Sequence, residues 1–153
     1  MKTRTRISGI TKEDLVNLFA DIMYGSEWLD ATYHKPYISA VENECIEEKM
    51  ANSLLNGYEV TFFDCWAEDE HDKHGNNPDA HWDNERQCIA YPIILEDVKK
   101  GLENAIDGRF KCYCNESEWT PKAVRSLINQ DGKADLTWME TLMQIILFNE
   151  VVY

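Results

Sequence analysis

Two segments rich in aromatic and β-branched residues lie on either side of a long polar stretch, and this arrangement constrains the fold more than any other feature. They are YEVTFFDCW, residues 58–66, and QCIAYPII, residues 87–94. Their composition predicts β-strands. Because no helical pattern lies between them, we expect an antiparallel pair with a long connection. Pro92 lacks an N–H group and therefore belongs near the end of the second strand or at an edge.

A helix with clear ends is predicted near the start of the chain. Thr11 and Asp14 have the spacing of a capping box, and Gly25 is placed to end the helix. Its apolar face consists of Leu15, Leu18, Phe19, Ile22 and Met23. The preceding KTRTRIS, residues 2–8, alternates charged residues with threonine or isoleucine, which predicts a short edge strand.

Residues 26–38 are aromatic and irregular, and a second helix is predicted to follow them. Ser39 and Glu42 have capping-box spacing at its start, and the Asn-Gly pair at residues 56–57 is placed to end it. Its apolar positions are Val41, Cys45, Met50, Ala51, Leu54 and Leu55.

Three further helical patterns follow the second strand. Residues 95–108 place Val98, Leu102, Ala105 and Ile106 on one face. Thr120 and Pro121 are a start signal for the next helix. Thr137 and Glu140 have capping-box spacing in the last one, whose core candidates are Leu142, Ile145, Ile146 and Phe148. The chain, residues 1–153, is thus predicted to form a single α+β domain with a small antiparallel sheet and four to five helices packed on it.

The chain is strongly acidic, with a net charge of −13. Such a surface repels nucleic acid and anionic lipid, because phosphate binding depends on Lys and Arg, and it favours a basic partner. No run of about 18 apolar residues predicts a membrane span, and the basic N-terminus lacks the apolar segment of a signal peptide. The odd number of cysteines, with Cys112 and Cys114 too close to bond to each other, favours a reducing cytoplasm.

Three segments together resemble a family of small proteins from bacteriophages, prophages and integrative elements. These segments are ITKEDLVNLFADIMYGSEWL at residues 10–29, YPIILEDVKKGLE at residues 91–103 and GKADLTWMETLMQIILFNEVVY at residues 132–153. The family pattern ends in Q-x-x-L-F-G-E-I-V-Y, on which Gln144, Leu147, Phe148 and residues 150–153 fall, while Asn149 replaces the glycine. The resemblance implies a mobile genetic element inside a bacterial cell, and it implies no activity.

The connection between the strands contains three of the four histidines and is a candidate metal site. His71 and His74 form an H-x-x-H pair, and His81 follows seven residues later. Imidazole and carboxylate suit Zn²⁺ or a similar metal. The neighbouring carboxylates are Asp64, Glu68, Glu70 and Asp72. The segment is also rich in Asn, Asp and Gly, so a solvated hairpin loop without metal is the alternative that we favour.

The sequence contains no recognisable constellation for covalent catalysis. Cys45, Cys65 and Cys88 lie in apolar contexts, where cysteine behaves as a small hydrophobic residue. No histidine stands in a diagnostic relation to a cysteine or serine, and no phosphate-binding or dinucleotide-binding motif occurs. We therefore expect no cofactor and favour a protein without enzymatic activity, while the question of activity stays open.

Aromatic residues, several of which fall in predicted loops, are the candidates for binding a ligand or partner. They are Trp28, Tyr33, Tyr37, Trp66, Trp82, Tyr91 and Trp119. Their rings can stack on a base or fill a hollow in a partner, with Arg86, Arg109 or Lys111 available for phosphates. The alternative is that they cover the ends of a small core.

Clustered carboxylates give a second candidate surface. Its members are Glu42, Glu44, Glu47 and Glu48 on the second helix and Glu68, Asp69 and Glu70 in the connection. Such a patch steers association with a basic protein, whereas a solvated face without a partner is the alternative.

We therefore expect a non-enzymatic, acidic binding protein of a phage or mobile element, which acts on a host protein such as a defence protein. A protein that sequesters a nucleotide in the aromatic region is the first alternative. A metal-dependent hydrolase built on residues 64–85 is the second. Homodimerisation stays open.

Overall fold

The computed structural model describes residues 9–33, 44–106, 119–129 and 136–153. Within these ranges the chain forms five α-helices and a four-stranded antiparallel sheet, which confirms the predicted α+β fold. The helices are α1 Lys12–Gly25, α2 Ile46–Leu55, α3 Leu95–Ile106, α4 Trp119–Asn129 and α5 Leu136–Phe148. The strands are β1 Leu29–Thr32, β2 Val60–Asp64, β3 His81–Asp83 and β4 Cys88–Ile93.

The sheet is built around the two strands that the sequence predicts most clearly. β2 and β4 pair antiparallel, with Val60 opposite Ile93, and the full strand order is β1-β2-β4-β3. The expectation that residues 26–38 are wholly irregular is wrong, because β1 pairs with β2 over its four residues. The connection between β2 and β4 is likewise not loop throughout, because β3 pairs with β4. Both missed strands are too short to show an alternating pattern.

The two faces of the sheet have different neighbours, because successive residues of a strand point to opposite faces. Phe62 and Tyr91 belong to the main core that the helices complete, and both are fully buried. Phe63, Cys88 and Ala90 form a separate buried cluster.

The ends of the helices agree with the sequence at one place and differ at others. Thr11 and Asp14 form the predicted capping box of α1, which ends at Gly25 as expected. In contrast, α2 begins only at Ile46, with Cys45 at the capping position, which is later than predicted, and the predicted capping residues Ser39 and Glu42 lie outside the described ranges.

Two later helices also begin before their predicted caps. α4 includes Trp119 and Thr120, so Pro121 is its third residue rather than its first. α5 includes Leu136, and therefore Thr137 lies inside the helix and not at a cap. The Thr137 carbonyl instead accepts a hydrogen bond from the hydroxyl of Thr141, 2.9 Å away.

α3 and α5 approach each other closely at Gly101. A Cβ atom on this glycine would lie 2.7 Å from the Cα atom of Ile146, which is closer than carbon atoms pack. This contact fixes the end of α5, and residues 149–153 continue from that end without forming a strand. None of the helices within the described ranges is long and apolar enough to cross a membrane. The predicted edge strand at residues 2–8 and the residues Ser39, Glu42, Arg109 and Lys111 lie outside these ranges.

Candidate functional site

Six rings from distant parts of the chain pack together beside the end of β2, and we call them the aromatic cluster. They are Trp28, Trp66, His74, Tyr91, Phe148 and Tyr153. The Tyr153 ring is central, because its centroid lies 4.8 Å from that of Trp28 and 5.2 Å from that of Trp66. Tilted and edge-on contacts of this kind each contribute about 0.5–1.5 kcal/mol beyond the burial of area.

A buried carboxyl group holds Tyr153 in the aromatic cluster. Asp64 is 0% exposed at the end of β2, and its side chain accepts hydrogen bonds from the Tyr153 hydroxyl at 2.7 Å and from the Trp66 backbone N–H at 3.0 Å. Burial, and secondly this carboxyl group, raise the pKa of Tyr153 above its ordinary value. The tyrosine is therefore a neutral hydrogen-bond donor at physiological pH.

Gln144 of α5 fastens the segment that carries Tyr153. Its side chain is 2% exposed, and its Oε1 atom accepts hydrogen bonds from the backbone N–H groups of Val152 and Tyr153, both at 2.7 Å. Its Nε2 atom donates to the Tyr153 carbonyl at 3.3 Å. Gln144, Phe148 and Tyr153, which fall on the C-terminal pattern described above, thus each make packing or hydrogen-bonding contacts in the fold.

The connection between β2 and β4 is attached to the same cluster. The Tyr91 hydroxyl accepts a hydrogen bond from the His74 backbone N–H at 3.0 Å, and the His74 ring packs 5.1 Å from Phe148. Burial raises the pKa of Tyr91 to about 12. Gly75 has φ +72°, and a Cβ there would lie 2.8 Å from the backbone of Phe148, so this close approach requires glycine.

Trp66 is the member of the aromatic cluster that faces solvent, with 49% of its surface exposed. The chain next forms a short 3₁₀ turn, Glu70–Asp72, in which Asp69 and Asp72 make a reciprocal capping box. The side chains of Glu68 and Glu70 point into solvent beside it. We call Trp66, Glu68, Asp69 and Glu70 the Trp66 surface, which is a fixed indole next to an ordered acidic turn.

Trp28, Trp66 and Tyr91 are thus the predicted binding residues that the fold brings together. Trp28 and Tyr91 are buried by other rings, so they support Trp66 rather than offer a ring face of their own. Whether any of the three contacts a ligand stays a prediction.

The other predicted aromatic and arginine residues lie elsewhere. Tyr33 is partly buried beneath the ammonium group of Lys49, and Trp82 packs partly buried from β3. The Arg86 guanidinium lies 4.3 Å above the Phe63 ring on the opposite face of the sheet. Tyr37 and the side chain of Trp119 are outside the part of the chain that the structure describes.

The three candidate metal ligands do not converge. His71 is exposed in the 3₁₀ turn, His74 packs within the aromatic cluster, and the His81 Nδ1 atom lies 2.9 Å from the Asp79 carbonyl. Among the described residues no group of three or more His, Cys, Asp or Glu side chains is arranged to hold a metal ion. H-x-x-H spacing brings two imidazoles together when both residues lie on one helix. Here His71 lies in the 3₁₀ turn and His74 lies beyond its end.

The described acidic residues in and just before α2 do not form one exposed face. Glu44 and Glu47 are buried, and Glu47 accepts a hydrogen bond from the Tyr24 hydroxyl at 3.0 Å. Glu48 lies 3.6 Å from the Lys12 ammonium. Among the members of the predicted patch that the structure describes, the exposed carboxylates are therefore those of the connection between β2 and β4.

The cysteines differ from the expectation of buried, apolar thiols. Cys88 is buried, whereas Cys45 and Cys65 are exposed. The sulfur atoms of Cys65 and Cys88 lie 3.2 Å apart at the ends of neighbouring strands, and the thiols are not bonded to each other. Burial of the Cys65 sulfur, and secondly the Cys88 thiol, raise the pKa of Cys65 to about 12.

A cavity of about 460 Å³ lies on the other side of Phe148, and no sequence pattern predicts it. It is partly open to solvent and is lined by α3, the end of α5, the β2–β4 connection and the end of β4. Its apolar wall includes Ile93, Ile145 and Phe148. The polar rim is formed by Glu59, Asn76, Asn77, Asp79, Asp97, Lys100, Asn104 and Asn149. The residues GNNPD, 75–79, predict a turn, and only the fold shows that this turn closes a cavity.

Comparison with known proteins finds no matching family model, curated protein or solved structure. The structure therefore defines an α+β domain with a solvent-facing tryptophan beside an acidic turn, and the likeness to proteins of mobile elements stays a prediction.

Proposed function

We propose that this chain is a non-enzymatic binding protein of a mobile genetic element that docks onto a basic surface of a host protein. The observation that carries the proposal is the Trp66 surface. It presents a large apolar group, held from behind by Trp28 and Tyr153, next to carboxylates on an ordered turn. Tryptophan is enriched among the residues that dominate the energy of interfaces.

The support of Trp66 matters because an interface side chain that is already fixed loses little conformational entropy on binding. Its indole lies edge-on to the Tyr153 ring, and its backbone is tied to Asp64. The adjacent acids add charge complementarity, which speeds association with a basic protein and disfavours acidic ones. The net charge of −13 acts in the same direction at longer range.

We favour protein binding over nucleotide sequestration because the predicted binding residues Trp28, Trp66 and Tyr91 pack on other rings and do not line the cavity beside Phe148. A nucleotide would have to stack on Trp66 alone, close to Glu68 and Glu70, whose carboxylates repel phosphate. Thermal melting with a panel of nucleotides separates the two hypotheses: a ligand at 100 times its dissociation constant stabilises its protein by about 2.7 kcal/mol. A shift of that size would favour the nucleotide hypothesis.

The main test compares the proteins that the wild type and its variants retain from a bacterial lysate. Trp66→Ala removes the indole, and Glu68→Lys/Glu70→Lys reverses the charge while Asp69 and Asp72 keep the turn. Tyr58→Ala is the matched aromatic control, because Tyr58 is similarly exposed. Asp21→Lys/Glu96→Lys is the charge control, because it changes the net charge by the same amount as Glu68→Lys/Glu70→Lys but at exposed positions of α1 and α3.

We expect one or a few basic proteins to be retained by the wild type and both controls and to be lost from both Trp66-surface variants. Loss of a central interface tryptophan costs about 2 kcal/mol or more, which is about 30-fold in affinity. If the wild type, the two Trp66-surface variants and the two controls all retain the same lysate proteins, the Trp66 surface is not the docking site. The same conclusion follows if the charge control also loses these lysate proteins.

A further inference from the structure

We propose that the cavity on the other side of Phe148 binds the guanidinium group of an arginine side chain. The inference does not rest on the function of the Trp66 surface, because the cavity has its own walls and its own charged groups. Its volume of about 460 Å³ lies within the range of pockets that hold small molecules and is ample for one side chain.

The charge of the rim selects a cation. Glu59, Asp79 and Asp97 contribute three carboxylates, against the single ammonium group of Lys100. The Asp97 carboxylate already accepts the Ile94 backbone N–H at 2.9 Å, which occupies one of its lone pairs. The N-terminus of a helix attracts anions through the helix dipole. At the start of α3 this position is already taken by the carboxylate of Asp97.

Two of these carboxylates are available to a ligand. Asp79 is positioned through its backbone, since its N–H donates to the Asn77 side chain at 2.9 Å and its carbonyl lies beside His81. The turn itself is anchored by the Asn77 side chain, which donates to the Pro92 carbonyl at 2.8 Å. The carboxylates of Asp79 and Glu59 make no hydrogen bond or ion pair with any residue that the structure describes. Both residues line the cavity and are exposed, and neither carboxylate has a Lys or Arg partner among the described residues.

The lining fits a guanidinium group better than an ammonium group or a metal ion. A guanidinium group is planar, carries five N–H donors and is weakly hydrated, so it can use carboxylate and carboxamide oxygens spread around a rim. The asparagines of the rim add carboxamide oxygens beside the carboxylates; those of Asn77 and Asn149 already accept one hydrogen bond each and keep one lone pair for a ligand. The methylene groups of arginine can rest on the apolar wall of Ile93, Ile145 and Phe148, as long basic side chains do elsewhere. A metal ion would need ligands that converge, and among the described side chains no such group exists.

The probe for this proposal is N-acetyl-arginine amide, with N-acetyl-citrulline amide as its neutral counterpart of nearly equal shape. Binding is measured from amide chemical shifts of the full-length protein during titration with each compound. We expect the arginine compound to bind with a dissociation constant of about 1 mM and to shift the signals of Asn76, Gly101 and Asn149. The citrulline compound should bind about tenfold more weakly, because it lacks the charge.

Three variants locate the binding. Glu59→Gln/Asp79→Asn should weaken the arginine compound about tenfold, and Lys100→Ala should strengthen it about threefold by removing the repelling ammonium group. Asp21→Asn/Glu27→Gln removes the same charge from exposed positions outside the cavity and should leave affinity unchanged. All these positions are on the surface, and an unchanged amide spectrum away from the cavity verifies the fold. Equal affinity for the two compounds, or shifts confined to residues outside the cavity, would overturn the proposal whatever the lysate experiment shows.

Discussion

At the scale of single residues, the pair Asp64 and Tyr153 connects the end of the sheet to the last residues of the chain. The carboxyl group is fully buried, and its two hydrogen bonds come from Tyr153 and from the backbone of Trp66. Removing one donor from such a group leaves buried acceptor capacity unsatisfied. The position of the exposed indole of Trp66 therefore depends on a phenol group that lies behind it.

Tyr153→Phe should lower the free energy of unfolding by about 1–3 kcal/mol at neutral pH. The raised pKa of Tyr153 means that the folded state holds the phenol proton more tightly than the unfolded state. This contribution is complete below the unfolded pKa of about 10 and is lost as pH rises toward the folded pKa. Urea unfolding at several pH values measures it. The wild type should lose stability above pH 10 more steeply than Tyr153→Phe, and equal slopes would contradict the assignment.

Cys65 is exposed, yet we expect it to react slowly with iodoacetamide. The thiolate is the reactive form, and a pKa of about 12 leaves very little of it at pH 7.5. Cys88→Ala removes the neighbouring thiol and should speed alkylation of Cys65, as quantified by mass spectrometry of its peptide. A Cys65 that reacts as fast as free cysteine in the wild type would disprove the raised pKa.

At the scale of elements, the sequence predicts those whose signals are local. The capping box of α1 lies within four consecutive residues, and the composition of β2 and β4 identifies them as strands. β1 and β3 are strands because a neighbour pairs with them, and four or three residues carry no pattern that shows this. The same holds for the site. Helical spacing does not distinguish Gln144 from its neighbours in α5, and its hydrogen bonds form only when the chain folds back onto it. The cavity is lined partly by Gly101, where two helices distant in sequence meet.

Gly101→Ala should destabilise the protein by about 1–3 kcal/mol. A methyl group usually stabilises a helix by about 1 kcal/mol relative to glycine, but here it would overlap the backbone and side chain of Ile146. Thermal unfolding of this variant is compared with that of Gly9→Ala, where nothing lies within 4 Å of the new methyl group. A Gly101→Ala protein as stable as the wild type would mean that α3 and α5 can separate without cost, and the cavity between them would then be poorly defined.

At the scale of the whole molecule, the negative charge is the dominant feature. Few ion pairs offset this charge within the described residues. Three are present, and they join the solvent-accessible side chains of Lys12, Arg86 and Lys99 to nearby acids. Exposed pairs of this kind contribute at most about 1 kcal/mol each. Mutual repulsion of the remaining carboxylates therefore opposes the compact state, and salt should relieve it.

We expect the melting temperature to rise by a few degrees between 10 mM and 150 mM NaCl. A gain of about 1 kcal/mol would shift the melting temperature of a protein of this size by about 2–4 °C. Differential scanning calorimetry at pH 7.5 measures the effect, and Glu68→Lys/Glu70→Lys, which lowers the net negative charge, should show a smaller one. A melting temperature that falls with added NaCl would show that attractive pairs outweigh repulsion.

The stacking of Trp66 on Trp28 also gives the molecule a built-in optical signal. The centroids of the two indole rings lie 6.1 Å apart, one ring is half-exposed and the other is buried, and the Tyr153 ring contacts both. Rings held this close couple electronically and produce near-ultraviolet circular dichroism, and light absorbed by one is shared with the other. Any partner that covers the exposed indole changes the emission of the pair. Binding at this surface can therefore be followed in unlabelled protein, with Trp66→Phe as the silent reference.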